Sequence, residues 1–339
     1  MIIEAIKKAS KRENLDYETM REVIDEIASG KTTDAQVAAF LTAMRMKGET
    51  VEEITAAATV MREKCTRVDL EQIDAIDIVG TGGDGASTFN ISTAAAFVVA
   101  AGGIGVAKHG SRSASGKVGS ADLLEAMGVN IFTVASQEKK IFDKTGMCFM
   151  LAPNHHPSMK YVTRARSEIK IRTFFNILGP LVNPANAKMQ LLGVFEEDLV
   201  QPMARVMANL GIKDGMTVHG LDGLDEATIC AQSLVCEVRD GKLKTYRINP
   251  LDFGLPLYEP QSLKSETKEE NVSIIRGIFS GTIEGAKKDI VLLNSALAFY
   301  ITRKTPTIKE GIEYARKVID SKRALYKLDS FIKATNGDL

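Results

Sequence analysis

Between Gly80 and Thr93 the chain reads GTGGDGASTFNIST: four glycines, one carboxylate and a run of hydroxyl and amide side chains within fourteen positions. Glycine adopts positive φ and lets backbone N–H groups approach a ligand, while the N-terminus of a following helix offers free donors and the positive end of its dipole. Residues 75–79 (AIDIV) read as the preceding strand and the alanine-rich 94–101 as the following helix, so the segment has the build of an anion cradle. Asn90, Ser92 and Thr93 fall at the expected helix start, where they would cap it, hold phosphate, or do both. The spacing fits neither GxxxxGK[ST] nor a true GxGxxG, which argues against a P-loop ATPase and a dinucleotide site.

Three further segments carry groups suited to a phosphate compound. Residues 108–117 (KHGSRSASGK) interleave Lys108, His109, Arg112 and Lys117 with glycine and serine after an expected strand, and Gly119-Ser120-Ala121-Asp122 opens another helix able to take an anion. Asp225-Glu226, with Asp222 nearby, puts paired hard oxygen donors on a loop, the set by which Mg²⁺ shares a polyphosphate. Residues 153–184 are dense in His, Arg and Pro, and an arginine there would match a carboxylate through two parallel hydrogen bonds. His155 and His156 are adjacent, so their side chains diverge: one is expected to line substrate and the other to pack.

Elements must bring these segments together. The first 65 or so residues read as short capped helices: Gly30 closes one, Thr33 with Gln36 opens the next, Gly48 ends it, and Thr50 with Glu53 opens another. From about residue 71, apolar runs at 76–79, 104–107, 149–151, 191–194 and 216–219 alternate with helical runs such as 120–127 and 199–210, which implies an α/β fold with a central, mainly parallel sheet flanked by helices. The division expected is a helical domain over 1–68, with a returning helical segment near 163–185, and an α/β domain over 69–339. Asp240-Gly241 marks a hairpin within 237–250, and 307–332 reads as an amphipathic helix on the outside. Ligands in such sheets sit at strand C-terminal ends, which the glycine segment, Lys108-His109-Gly110 and the 220–226 loop all follow.

Bulk properties narrow the function further. The 339 residues carry 43 basic and 43 acidic side chains, so no global field draws the chain to nucleic acid or an anionic membrane. Cys65, Cys148, Cys230 and Cys236 share no C-x-x-C spacing, which argues against a zinc site or a disulfide framework and for reduced thiols in the cytoplasm. No apolar run reaches spanning length.

Six motifs occur in the order seen in the anthranilate phosphoribosyltransferase family: Gly-Thr-Gly-Gly-Asp-x₃-Thr-Phe-Asn-Ile-Ser-Thr, Lys-His-Gly-x-Arg-Ser, Gly-Ser-Ala-Asp-Leu-Leu-Glu, His-His-Pro-Ser-Met-Lys-Tyr-Val, Arg-Thr-x-Phe-Asn-x-Leu-Gly-Pro-Leu-x-Asn-Pro and Gly-x-Asp-Glu. The chain resembles that family over essentially its whole length. The resemblance implies Mg²⁺-dependent transfer of a 5-phosphoribosyl group from phosphoribosyl pyrophosphate to anthranilate, in tryptophan biosynthesis, by a homodimer paired through the helical domain. It implies that Gly80, Gly83, Asp84, Thr88, Asn90, Ile91, Ser92, Thr93, Lys108, His109, Gly110, Ser111, Arg112, Ser113, Ala114, Ser115, Gly116 and Ser120 hold the donor. Ser92, Asp225 and Glu226 would hold Mg²⁺, while Gly80, Ser111, His155 or His156, and Arg166 would surround anthranilate. Lys108, Asp84 and Arg166 would carry catalysis. Ser111 stands where the family usually has asparagine, and Arg164 where it usually has proline, which would remove an amide from the acceptor and add a cation beside its carboxylate. The rival readings are a pyrimidine nucleoside phosphorylase of the same architecture and an idle, nucleic-acid-binding relative.

Overall fold

The structure is a computed structural model and describes residues 1–70, 74–113 and 118–338. Its first four helices are α1 (Ile2–Ser10), α2 (Tyr17–Ala28), α3 (Asp34–Lys47) and α4 (Val51–Glu63). Both expected capping boxes form, Thr33 with Gln36 opening α3 and Thr50 with Glu53 opening α4. Glu53 also accepts the Leu15 N–H at 2.8 Å and the Lys47 Nζ at 2.8 Å, and neither charged side chain reaches solvent. Removing one partner of a buried pair strands the other charge, so Glu53→Ala should lower unfolding free energy by about 3–5 kcal/mol. Urea denaturation checks this; a loss within the range of an exposed pair would show Lys47 reaching water.

The chain continues through β1 (Ala75–Gly80), α5 (Ile91–Ala101), β2 (Gly105–Gly110), α6 (Ser120–Ala126), α7 (Ala135–Thr145), β3 (Met147–Leu151), α8 (Ala152–His155), α9 (Lys160–Ile169) and α10 (Phe175–Leu178). Then come β4 (Met189–Gly193), α11 (Val200–Asn209), β5 (Asp214–Gly220), β6 (Ser233–Arg239), β7 (Lys242–Ile248), α12 (Lys268–Ser280), α13 (Ala286–Ile301), α14 (Ile308–Asp320) and α15 (Arg323–Thr335). The strands form one sheet in the order β3-β2-β1-β4-β5-β6-β7. The first five run parallel, and β6 and β7 add an antiparallel hairpin whose turn residues Asp240 and Gly241 both have positive φ. From β1 the chain winds outward to β3, then returns to lay β4 on the other side of β1. That reversal opens a crevice at the C-terminal ends of β1 and β4.

One sheet face, with Ile76, Ile78, Val106 and Leu191, packs under α5, α12, α13, α14 and α15. On the other, Leu192, Val194, Cys236 and Val238 share a core with α1–α4, α9 and α11. The returning segment joins that helical core through Val162, Ala165, Phe174 and Phe175, with Phe174 edge-on to Phe40 at 6.3 Å. Two expectations change. The C-terminal stretch is not one outer helix: Lys322, at φ 64 with its amine on the Ser280 carbonyl, breaks it into α14 and α15, and Val318, Ile319, Leu328 and Phe331 are fully buried. Strand β2 runs on through Lys108-His109-Gly110, which pair with Phe149, Met150 and Leu151 of β3, so these residues do not begin a loop. Polarity hid that extension, because the partners that make burial of these side chains tolerable come from distant segments. Among the described residues no helix is long and apolar enough to cross a membrane.

Candidate active site

Gly80 and Gly193, the last residues of β1 and β4, are register partners at the crevice. The Asp225-Glu226 loop lies directly on them: a Cβ on Gly193 would fall 1.7 Å from the Asp225 carbonyl oxygen, and one on Gly80 2.4 Å from its carboxylate. Only glycine permits this approach. The Gly82 N–H donates to Asp225 Oδ2 at 2.6 Å, and the Ser92 N–H, in the first turn of α5, donates to Glu226 Oε1 at 3.1 Å. Burial pushes the Glu226 carboxyl up to about 8, with repulsion from Asp225 and Asp84 adding and Lys108 opposing. Asp225 is raised by burial and by Asp84 beside it. Among the described residues no three His, Cys, Asp or Glu side chains are grouped to hold a metal unaided. Crowded carboxylates that a cation would relieve, beside the first turn of α5 and the glycine loop, nonetheless fit Mg²⁺, which takes one or two carboxylates and completes its shell with phosphate and water.

Strand alternation splits Lys108 from His109. Lys108 is buried and donates to the Ile78 carbonyl at 2.5 Å; burial lowers its pKa, against the attraction of Asp77 and Glu226. His109 points to the opposite face, where Nδ1 meets the Gly179 carbonyl at 3.1 Å and the ring lies 5.1 Å from that of His156. Asp77, an acid inside an otherwise apolar strand, accepts the His109 N–H at 3.3 Å and Asn183 Nδ2 at 2.8 Å, and Asn183 also donates to the Ala107 carbonyl. In the sequence, Asn183 and Gly193 carry no local signal of these contacts, and Asp77 carries only one: a carboxylate amid Ala75, Ile76, Ile78 and Val79.

The glycine segment takes its shape partly from a region with no expected role. Thr88 bridges Lys264, the Phe89 N–H reaches the Leu263 carbonyl, and residues 260–264 close a cavity of about 290 Å³ against 85–88. Asp84 turns the loop by accepting the Ala86 N–H, and Arg172 donates to the Gly83 carbonyl while lying 4.4 Å over Phe195. At the start of α5 no side chain caps the helix. Asn90 instead gives its amide to the Val118 carbonyl and Asn271, and Ile91 sinks into the core with its N–H on Phe89, offering a ligand neither group. Thr93 Oγ1 is buried without a partner among the described residues.

Around 110–125 the polar groups are tied to one another. Asp122 accepts the Ser113 and Gly119 N–H groups at 3.0 and 3.1 Å, so the start of α6 already carries a carboxylate that an incoming anion would meet. Arg112 is forked onto Glu125 and reaches Asp122, and Ser111 is exposed with its hydroxyl on the Arg112 carbonyl. Ser120 Oγ lies so near Gly110 that a Cβ there would come within 2.3 Å. Ala114, Ser115 and Gly116 lie outside the described residues.

On the opposite face the two histidine side chains have different surroundings. His155 packs: Nδ1 meets the Thr66 carbonyl at 2.7 Å and Nε2 meets Glu138 at 3.0 Å, leaving no nitrogen for an acceptor. His156 is buried with neither nitrogen in full hydrogen-bond geometry among the described residues, and burial, then His155, push it down to about 4 against a weak pull from the Val182 backbone. Because its folded pKa lies below the unfolded 6.5, its contribution to stability is complete above pH 6.5 and is lost as pH falls through about 4, roughly 3 kcal/mol in all. Thermal unfolding across that window should therefore fall more steeply for the native protein than for His156→Gln; parallel curves would count against it. Arg166 is half-buried on α9 against the Phe175 ring at 5.7 Å, with no acidic partner among the described residues, and burial lowers its pKa. Arg164 does not add a cation beside it: two helix positions away it projects elsewhere, exposed and bonded to Glu168 at 3.0 Å.

Residues 3–65 match the helical bundle domain, and residues 72–325 the a/b domain, of the glycosyl transferase family. The chain is 51% identical to the anthranilate phosphoribosyltransferase of Ruminiclostridium cellulolyticum over 99% of this chain and 98% of that protein. It is 52% identical to that of Endomicrobium trichonymphae over 99% of each. The crystal structure of anthranilate phosphoribosyltransferase from Thermus thermophilus, 39% identical, superposes with a TM-score of 0.93 over 98% of this chain and 99% of that one. The Saccharomyces cerevisiae enzyme in complex with PRPP and Mg, 29% identical, superposes with a TM-score of 0.91 over 99% and 98%. Matched from end to end in sequence and in fold, the chain belongs to the anthranilate phosphoribosyltransferase family.

Proposed function

We propose that this chain transfers the 5-phosphoribosyl group from phosphoribosyl pyrophosphate to the amine of anthranilate, giving N-(5-phosphoribosyl)anthranilate and pyrophosphate. The observation that carries this reading is the meeting, at the β1/β4 crevice, of the glycine loop, the first turn of α5 and the Asp225-Glu226 pair. A yeast relative was solved with PRPP and Mg and another structure of it with 4-fluoroanthranilate. On the donor side, Gly80, Gly82 and Gly83 with Asp84 would cradle pyrophosphate, and Ser92, Asp225 and Glu226 would hold Mg²⁺. Bound there, Mg²⁺ would neutralise charge gathering on the departing pyrophosphate. Lys108, buried near Glu226 and Asp77, would add positive charge to that carboxylate-rich side from beneath.

On the acceptor side we place His109 and His156 with Arg166. Both histidines are pushed well toward the neutral form by burial, so they would line and hydrogen-bond the acceptor without adding charge. Arg166 would fork onto the anthranilate carboxylate. An aromatic amine is unprotonated at neutral pH, so orienting it over C1 does the work and no covalent intermediate is needed. Loss of anthranilate fluorescence that requires both phosphoribosyl pyrophosphate and Mg²⁺ tests the reading; loss with free phosphate and a pyrimidine nucleoside instead would favour the phosphorylase.

We read the assembly as a homodimer through the helical layer, where Ile3 and Met46 stand exposed at 50% and 72%. Light scattering should give twice the chain mass, falling toward the monomer in Ile3→Glu/Met46→Glu; an unchanged mass would sink this.

A further inference from the structure

Resting on the donor-site reading above, we propose that two buried asparagines on the C-terminal helices, Asn294 and Asn271, are positioning residues that set the two halves of the phosphate and metal site from behind. Asn294 lies in the middle of α13, fully buried between apolar neighbours such as Ile290 and Leu297. Asparagine is a poor helix former, and a buried amide is costly unless its donors and acceptor are used. Its amide is spent on one loop residue: Oδ1 accepts the Ala227 N–H at 3.0 Å, and Nδ2 donates to the Ala227 carbonyl at 2.9 Å and to the Ile290 carbonyl. Holding both backbone groups of Ala227, as a neighbouring strand would, fixes the peptide that follows Glu226.

Asn271 on α12 is 1% exposed and does the same for the other half. Its Oδ1 accepts the Asn90 N–H at 2.9 Å and the Asn90 side-chain amide at 3.3 Å, and its Nδ2 donates to Ser265 Oγ and the Thr267 carbonyl. Asn90 leads directly into the α5 turn whose Ser92 N–H meets Glu226. The two amides thus brace the two pieces of backbone that face each other across the donor site, and neither bonds to the acceptor face. Loosening either brace should weaken donor and metal binding and leave anthranilate binding alone.

The test is calorimetric titration of Mg²⁺ with inorganic pyrophosphate into the native protein, Asn294→Leu and Asn271→Leu, beside KM values for both substrates. Leucine has the same number and branching of side-chain heavy atoms as asparagine and favours helix, so α12 and α13 are retained. Expected are a loss of Mg–pyrophosphate affinity of about tenfold or more in each variant, a matching rise in donor KM, and an anthranilate KM within about twofold of native. Unchanged pyrophosphate affinity, or equal rises in both KM values as general loosening would produce, overturns the inference. If a variant does not fold, hydrogen exchange on the ligand-free native protein decides: the Ala227 amide should be as protected as those of β5, and rapid exchange overturns the brace. Failure of the native protein to bind Mg–pyrophosphate would instead fell the donor-site reading, and this inference with it.

Discussion

Gly193→Ala should reduce turnover at saturating anthranilate by at least about a hundredfold, the cost of moving catalytic groups by roughly 1 Å. The added methyl would sit 1.7 Å from the Asp225 carbonyl oxygen. That atom is backbone, in a loop already tied by Gly82, Ser92 and Asn294, so relief must come from displacing Asp225 and Glu226 themselves. Gly80→Ala should cost less, because its methyl would strike the Asp225 carboxylate at 2.4 Å, and a side chain turns more easily than a loop. Steady-state kinetics with both substrates, alongside circular dichroism to confirm folding, provide the check. A folded Gly193→Ala enzyme within threefold of native would show that the loop does not need its present seat.

For Arg166→Ala the expected result is a rise in anthranilate KM of about ten- to a hundredfold, from the roughly 1.5–3 kcal/mol that hydrogen bonds to a charged group contribute. The donor KM should not move. Arg166 is half-buried, rests on Phe175 and has no acid to neutralise it among the described residues, so its charge is available to a ligand carboxylate. Arg166→Lys should recover only part of the affinity, since an ammonium supplies charge without the planar fork. Equal rises in donor and acceptor KM would show that Arg166 supports α9 rather than the acceptor.

Much of this was legible in the sequence where the determinant is local. Thr33 and Gln36, or Thr50 and Glu53, cap helices because the bonds form within one turn, and Asp240-Gly241 sets a hairpin by its own backbone preference. The strand–glycine–helix order around Gly80 was legible for the same reason. Burial of polar groups was not. Lys108 and His109 lie inside a strand because Ile78, Gly179 and Asp77 bring them partners, none of them near in sequence. Asp122 is partly an instance of missed local chemistry, since its carboxylate returns to Gly119 three residues earlier. The segment from 253 to 306 carried no expectation at all, yet α13 and Asn294 reach the site from it.

The helical start, the parallel α/β body and the glycine loop with its carboxylate partner follow from periodicity and turn chemistry within a few residues. Which face of the sheet each polar group occupies is set in three dimensions. His109 turns away from Lys108 and lies beside His156, His155 is committed to Glu138, Arg164 is exposed and Arg166 is half-buried against Phe175. The reason is geometric: strand alternation and helix phase fix which way a side chain points, but the atoms it meets there come from segments often more than a hundred residues away, and those contacts determine whether a charge is paired, neutral or held for a ligand.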